Sequence, residues 1–241
     1  MTAGPDGLRP EEWLGALVPL GVSPQENVWR PLGAGVLLID PPVVWLITAA
    51  ALLDAAGDTT LAAFVTSQGG GTGLDLTTGR RGTPLDWLRH ERLDLAACLF
   101  PINPAWGIKA FPEARCLAAE QVTAGLPLQV AAYAYGTSEL GPRPAPLLLP
   151  GQVARRDASS FLTTAPLLPH NLGAPLVTPF PGGGVALVGI QVRRVAVPDL
   201  TGPLPALHLS QALPISEGLA LIRSEAGRAQ RRLALELQPP Q

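Results

Sequence analysis

The sequence predicts an all-β protein, and its composition carries most of that prediction. Glycine (26 residues) and proline (27 residues) exceed a fifth of the 241 residues, and neither suits the interior of a helix. Hydrophobic residues make up 47% of the chain and charged residues only 15%, which provides enough apolar surface for a sizeable core. The apolar residues occur in short runs between glycines and prolines, a pattern typical of strands and turns.

The first third of the chain is predicted to contain one short helix and several strands. Residues 10–20 open with proline and two glutamates, which suit the start of a helix. The runs GAGVLLID (33–40) and VVWLIT (43–48) are separated by two prolines and predict a hairpin. Residues 61–67 predict a further strand, and the glycines of residues 69–73 predict a flexible loop.

The middle of the chain predicts a buried strand and then a boundary. LDLAACLF (93–100) is apolar enough to be a buried strand, whereas residues 103–112 are rich in proline, tryptophan and glycine and predict an irregular connection. We therefore expect two halves of one domain, residues 1–108 and residues 109–241. In the second half, residues 179–184 predict a tight turn that leads into a strand at residues 185–192.

The C-terminus predicts one amphipathic helix. Ser216 is a suitable residue to cap its N-terminus. Apolar residues then recur at helical spacing and form one stripe: Leu219, Ile222, Ala226, Ala229 and Leu233.

Charge and hydropathy exclude several classes of partner. The net charge of −2 and the pI of about 5.9 provide no broad basic surface, so no nucleic-acid partner is predicted. The longest apolar run, residues 43–53, is too short to span a bilayer, so membrane insertion is not predicted. The first residues lack the basic and apolar regions of a secretory signal, which makes a soluble protein in the cytoplasm the default expectation.

The two cysteines, Cys98 and Cys116, are too few for a disulfide framework or for a cysteine-based metal site. Both are expected to fill apolar space. Neither a metal nor a cofactor is predicted.

Three segments, in chain order, carry a resemblance to a known family. VVWLITAAA ends with Ala49, Ala50 and Ala51, LDLAACLF contains Asp94, and TTAPLLPHNLGAPLV (163–177) contains Leu172. They resemble the segments that carry the histidine, the aspartate and the serine of trypsin-like serine proteases, particularly those of the HtrA/Deg branch. Only Asp94 is retained, because Ala51 occupies the histidine position and Leu172 the serine position. His170 occupies a glycine position whose amide helps to form the oxyanion hole.

The resemblance implies a specific fold. It implies two six-stranded antiparallel β-barrels, with strands near residues 124–136 and 147–156, and HLSQALPI (208–215) leading into the terminal helix. It also implies that Ala51, Asp94 and Leu172 converge at the cleft between the two halves.

The resemblance further implies an inactive homologue, because leucine and alanine can neither attack a carbonyl nor accept a proton. Such a protein could still bind a peptide or a protein partner by adding it as a strand at the cleft. The residues expected to bind are Asn171, Leu172, Gly173, Gly189 and Ile190.

Two alternatives remain open at this point. One is a structural subunit, in a homo-oligomer, that binds no peptide. The other is an active hydrolase with a relocated site. For that site the possible bases are His90, His170 and His208, and the possible nucleophiles are threonines and Ser138, Ser159 and Ser160.

Overall fold

The computed structural model describes residues 13–25, 28–57, 61–67, 70–76, 86–101, 103, 106–133, 146–195 and 209–236. These residues form a mostly β structure with two sheets and C-terminal helices, so the all-β prediction is confirmed. Several predicted positions lie outside the described residues: 10–12, 69, 104–105, 134–136, Ser138 and His208.

The first sheet contains eight strands and is open along the described residues. Its order is β5-β4-β1-β2-β3-β7-β6, with β8 paired parallel to β2. β5 and β6 are not paired with each other, so closure of this half into a barrel is not seen in the described part of the chain. The strands are β1 (Leu17–Gln25), β2 (Val28–Asp40), β3 (Val43–Thr48), β4 (Leu61–Ser67), β5 (Gly70–Asp75), β6 (Leu88–Arg89), β7 (Ala96–Phe100) and β8 (Phe111–Pro112).

The second sheet is a closed six-stranded barrel with the order β10-β11-β14-β13-β12-β9. Its strands are β9 (Pro127–Tyr133), β10 (Pro146–Arg156), β11 (Phe161–Thr163), β12 (Pro175–Pro179), β13 (Val185–Val195) and β14 (Leu209–Pro214). The helices are α1 (Ala51–Ala56), α2 (Ile215–Ile222) and α3 (Glu225–Glu236), with short 3-10 turns at Leu14–Ala16, Glu113–Arg115 and Ala119–Gln121.

Three local predictions are corrected by the structure. Within residues 10–20, a 3-10 turn at Leu14–Ala16 leads into β1, because residues 17–22 are buried where β1 pairs with β2 and β4. Residues 70–73 belong to β5 and pair along β4, which needs only main-chain groups. The terminal helix is interrupted at residues 223–224 and becomes α2 and α3, and Pro214, not Ser216, occupies the cap position of α2.

The core has two hydrophobic clusters. The larger cluster joins the two sheets and includes Trp45, Ile47 and Leu176, whereas the smaller one, which includes Leu46 and Leu52, lies within the first sheet. Leu172 packs against both clusters. The loop that carries Leu172 therefore lies at the contact between the two sheets, which we call the seam.

Candidate functional site

The Leu172 loop, residues 165–174, is held to both sheets by main-chain hydrogen bonds. The Ala34 N–H of β2 donates to the Leu172 carbonyl at 2.8 Å, and Gly33 and Leu172 form an isolated parallel bridge. On the barrel side, the Gly173 N–H donates to the Gln191 carbonyl at 2.8 Å. Main-chain hydrogen bonds thus tie Leu172 to the first sheet and its neighbour Gly173 to the barrel.

Two glycines permit this close approach. Gly173 has φ +80°, and a Cβ atom there would collide with the Ala34 carbonyl and with Thr48 Oγ1. A Cβ atom on Gly33 would collide with the Leu172 carbonyl on one side and with Leu52 on the other. The seam therefore requires glycine at both positions, because a side chain would not fit at either. At Gly173 the positive φ is a second reason, since residues with a side chain rarely adopt it.

Asp94 is bonded to the residue at the expected histidine position. Ala51, the first residue of α1, donates its backbone N–H to Asp94 Oδ1 at 2.7 Å. Burial raises the pKa of the Asp94 carboxyl, as does the charge of Asp54, whereas the backbone N–H groups of Ala51 and Ala50 and the charge of Arg193 lower it. The carboxylate is thus held by main-chain donors and not by an imidazole.

Of the three predicted site residues, Ala51 and Asp94 are bonded to each other, and Leu172 lies near Leu52, the neighbour of Ala51. Asp94 contacts Ala51 directly, and Leu52, the next residue of α1, borders the same Gly33 position as the Leu172 carbonyl. The side chains of Ala51 and Leu172 are both partly buried and are apolar. Neither carries an atom that could attack a carbonyl or take up a proton.

His170 lies at the exposed turn of the Leu172 loop, with φ +60°. This left-handed conformation is one that glycine adopts readily and that other residues adopt at a cost. Partial burial, and then the charge of Arg30, lowers the pKa of His170, which favours the neutral imidazole.

The binding residues predicted from the sequence are buried in the structure, apart from Leu172, which is partly buried. Asn171 and Gly173 lie within the loop, and Gly189 and Ile190 lie in β13. At Gly189 and Ile190 the main chain pairs with β12 on one side and with β14 on the other. An added strand therefore finds no free edge at these two residues.

Among the residues that the structure describes, an unpaired strand edge begins just beyond them, at residues 192–195 of β13. Gln191 is the last residue bonded on the β12 side, through Gly173 and Ala174, while β13 and β14 stay paired as far as Val195. Among the described residues, no strand pairs with residues 192–195 on that side. We call this segment the β13 edge. The sequence did not identify it, because the end of its pairing with β12 depends on where β12 begins.

A relocated active site is not supported at His90. The N–H groups of Arg92 and Leu93 both donate to His90 Nδ1, each at 3.1 Å, so the neutral imidazole carries its proton on Nε2. That nitrogen cannot then accept a proton from a serine.

Ser159 lies with His90 in the lining of a groove of about 1100 Å³, and Ser160 Oγ accepts a hydrogen bond from Gln211.

The cysteines and the metal-binding residue types show no further site in the described part of the chain. Cys98 is buried, Cys116 is partly buried, and the two form no disulfide. Burial, and then the charge of Glu113, raises the pKa of Cys116 to about 12, so its thiol stays protonated. Among the described residues, no three metal-binding side chains cluster, and no helix is long and apolar enough to cross a bilayer.

The chain was also compared with known proteins. No protein-family model matches the chain, and no curated protein matches it significantly. Its function is therefore inferred from the residues at the seam and from their geometry.

Proposed function

We propose that this protein is a catalytically inactive homologue of trypsin-like serine proteases, similar to the HtrA/Deg branch, that binds an extended peptide segment of a partner protein. One observation carries the proposal: Ala51 and Asp94 are bonded to each other, and Leu172 lies beside the neighbouring Leu52 at the contact between the two sheets. Of these three positions, only Asp94 would carry the residue of a triad. In this proposal the open first sheet corresponds to the first barrel of such a protease and the closed barrel to the second.

The chemistry supports an inactive protein. A serine protease needs an oxygen nucleophile, an imidazole that takes up its proton, and a carboxylate that orients the imidazole. Here Leu172 and Ala51 replace the first two, and Asp94 bonds to the backbone of Ala51. The left-handed backbone of His170 keeps a conformation that glycine adopts readily, as expected of a position that held glycine in an active ancestor.

The β13 edge supports peptide binding. It lies directly after Gln191, to which the Leu172 loop is bonded, and Arg193 within it is close enough to Asp94 to lower the pKa of that carboxyl. An unpaired strand edge beside a seam can accept an extended peptide through main-chain hydrogen bonds. Such binding does not require the triad.

Activity assays test the first part of the proposal. The purified protein should not hydrolyse casein or acyl esters, and a serine-directed fluorophosphonate should not label it. The double variant Leu172→Ser, Ala51→His should gain only feeble activity. Adding His170→Gly should raise that activity, since one oxyanion donor contributes about 3 kcal/mol to catalysis. Robust turnover by the unmodified protein would contradict the proposal.

Peptide binding tests the second part. A fluorescent extended peptide should bind the unmodified protein and the triple variant with similar affinity. An Arg193→Pro variant, which places a proline within the β13 edge, should weaken that binding. If no peptide binds while the protein self-associates in light scattering, the structural-subunit alternative is favoured instead.

A further inference from the structure

A groove of about 1100 Å³ lies between the C-terminal helices and the segment that contains β6. One wall is residues 88–93, and the other is one face of α2 together with the first turns of α3. We call it the helix groove. Ligand sites in proteins commonly occupy roughly 300–1,000 Å³, so the helix groove is large enough for a sizeable ligand.

The walls of the helix groove offer few main-chain groups to a ligand. Beyond the first turn of each helix, the main-chain N–H groups of α2 and α3 are bonded within the helix. On the other wall, the His90 N–H donates to the Leu95 carbonyl at 2.9 Å. The N–H groups of Arg92 and Leu93 both donate to His90 Nδ1, and β6 is only two residues long. An extended peptide would find few main-chain partners here, whereas a helix bonds its own backbone.

Short apolar side chains line the helical wall. Ala220 of α2 and Ala226 and Ala229 of α3 are exposed, and Leu221 of the same wall is buried. Leu88 is buried on the opposite wall. Alanines on a helix face allow a second helix to approach closely, at the short end of the roughly 8–10 Å between packed helix axes. This surface therefore fits the apolar stripe of an amphipathic helix.

Glutamates border the apolar surface on both walls. Glu217 and Glu225 lie on the helical wall, and Glu91 lies on the other. The described lining also contains two arginines, one of which, Arg89, is paired with Asp54 at 2.7 Å. Three glutamates thus stand against one arginine outside that pair. The described lining is net negative and favours a basic ligand.

We propose that the helix groove binds a basic amphipathic helix of a partner protein. The apolar stripe of that helix lies on Ala220, Ala226 and Ala229, and its lysines or arginines meet glutamates on both walls. Apolar contact supplies the affinity, and the charges supply the preference for a basic helix. The inference uses no residue of the β13 edge, so it does not rest on the peptide binding proposed there.

The experiment compares three labelled peptides of about 18 residues, which is roughly five helical turns. The first has leucine and alanine at helical spacing and lysines on both flanks of that stripe. The second has glutamate in place of every lysine, and the third has the composition of the first in an order that destroys the stripe. The first peptide should bind at least about tenfold more tightly than either of the others, with a gain of helical circular dichroism.

Matched variants assign the binding to the helix groove. Glu217→Gln and Glu225→Gln should each weaken binding of the lysine peptide several-fold. Glu236→Gln removes the same charge from the exposed far end of α3 and should stay within about twofold of the unmodified protein. Ala226→Gln places a longer side chain in the groove and should weaken binding, whereas Ala154→Gln, at an exposed position of β10, should not. Thermal denaturation checks that each variant is folded.

Each contrary outcome overturns a different part of the inference. Equal binding of the lysine and glutamate peptides would overturn the preference for a basic ligand. Equal binding of the peptide without a stripe, or full displacement by spermine at matched charge, would show general attraction of cations and overturn the helix as the ligand. Equal losses from Glu217→Gln and Glu236→Gln would overturn the groove as the site. If none of the three peptides binds, the inference is wrong, and the proposed binding at the β13 edge is unaffected.

Discussion

At the scale of single residues, the seam depends on glycines more than on any reactive or titratable side chain. Gly173 is enclosed by the Ala34 carbonyl and Thr48 Oγ1, and its φ of +80° lies in the left-handed region. Thr48 is itself fixed, since its hydroxyl donates to the Ala34 carbonyl at 2.7 Å. A methyl group at position 173 would therefore displace groups that already bond to each other.

Gly173→Ala should lower the free energy of unfolding by more than about 3 kcal/mol, from backbone strain and steric overlap together. Gly182→Ala is the matched control. Gly182 also has a positive φ, +93°, but no atom lies within 4 Å of its Cβ position. Its substitution should cost only about 1 kcal/mol. Urea denaturation followed by tryptophan fluorescence measures both values, and equal losses would contradict the steric argument.

At the scale of elements, the C-terminal helices show what ends one helix and starts the next. The Ser224 N–H donates to the Leu221 carbonyl, and the Ser224 hydroxyl accepts the Gly227 N–H at 3.2 Å. Ser224 therefore caps the N-terminus of α3. The hydroxyl of Ser216, which the sequence favoured as a cap, is buried and has no hydrogen-bond partner in the described structure.

Ser224→Ala should lower the free energy of unfolding by about 1 kcal/mol, the usual contribution of a serine cap. Ser216→Ala removes the same hydroxyl where it makes no bond. That variant should be neutral or slightly stabilising, because it removes a buried group without a partner. Thermal denaturation of the two variants checks the difference, and a greater loss from Ser216→Ala would show that the caps are assigned wrongly.

The sequence could predict many of the elements but not their pairing. The hairpin of β2 and β3 was predicted because its apolar runs are long and two prolines separate them. β1 and β5 were missed, because Pro19 and Gly21 in β1 and the glycines of β5 are poor strand formers, and long-range main-chain pairing overrides this preference. Ala51 and Asp94, which the sequence singled out, are bonded to each other, whereas the β13 edge could not be predicted, since it depends on strand register.

At the scale of the whole molecule, Leu172 connects the two hydrophobic clusters. Its side chain packs against the cluster that joins the two sheets and against the cluster inside the first sheet. A serine at this position would remove that contact and place a hydroxyl in an apolar environment. Leu172→Ser should therefore lower the free energy of unfolding.

Leu172→Ala should lower the free energy of unfolding by about 2 kcal/mol, since the side chain is partly buried and fully buried leucines lose about 2–5 kcal/mol. Leu148→Ala, at a position that is 44% exposed on β10, should stay within about 0.5 kcal/mol of the unmodified protein. Chemical denaturation compares the two. If Leu172→Ala is as mild as Leu148→Ala, Leu172 contributes little to the association of the two sheets.

The hydrogen bond between the Ala34 N–H and the Leu172 carbonyl has a consequence for how the protein can evolve. Every residue type has a backbone carbonyl, so this bond forms whichever side chain stands at position 172. Selection for a stable seam then acts on Gly33 and Gly173. At position 172 it acts only on the volume and the polarity of the side chain. A change of side chain at position 172 therefore leaves this main-chain bond between the two sheets in place.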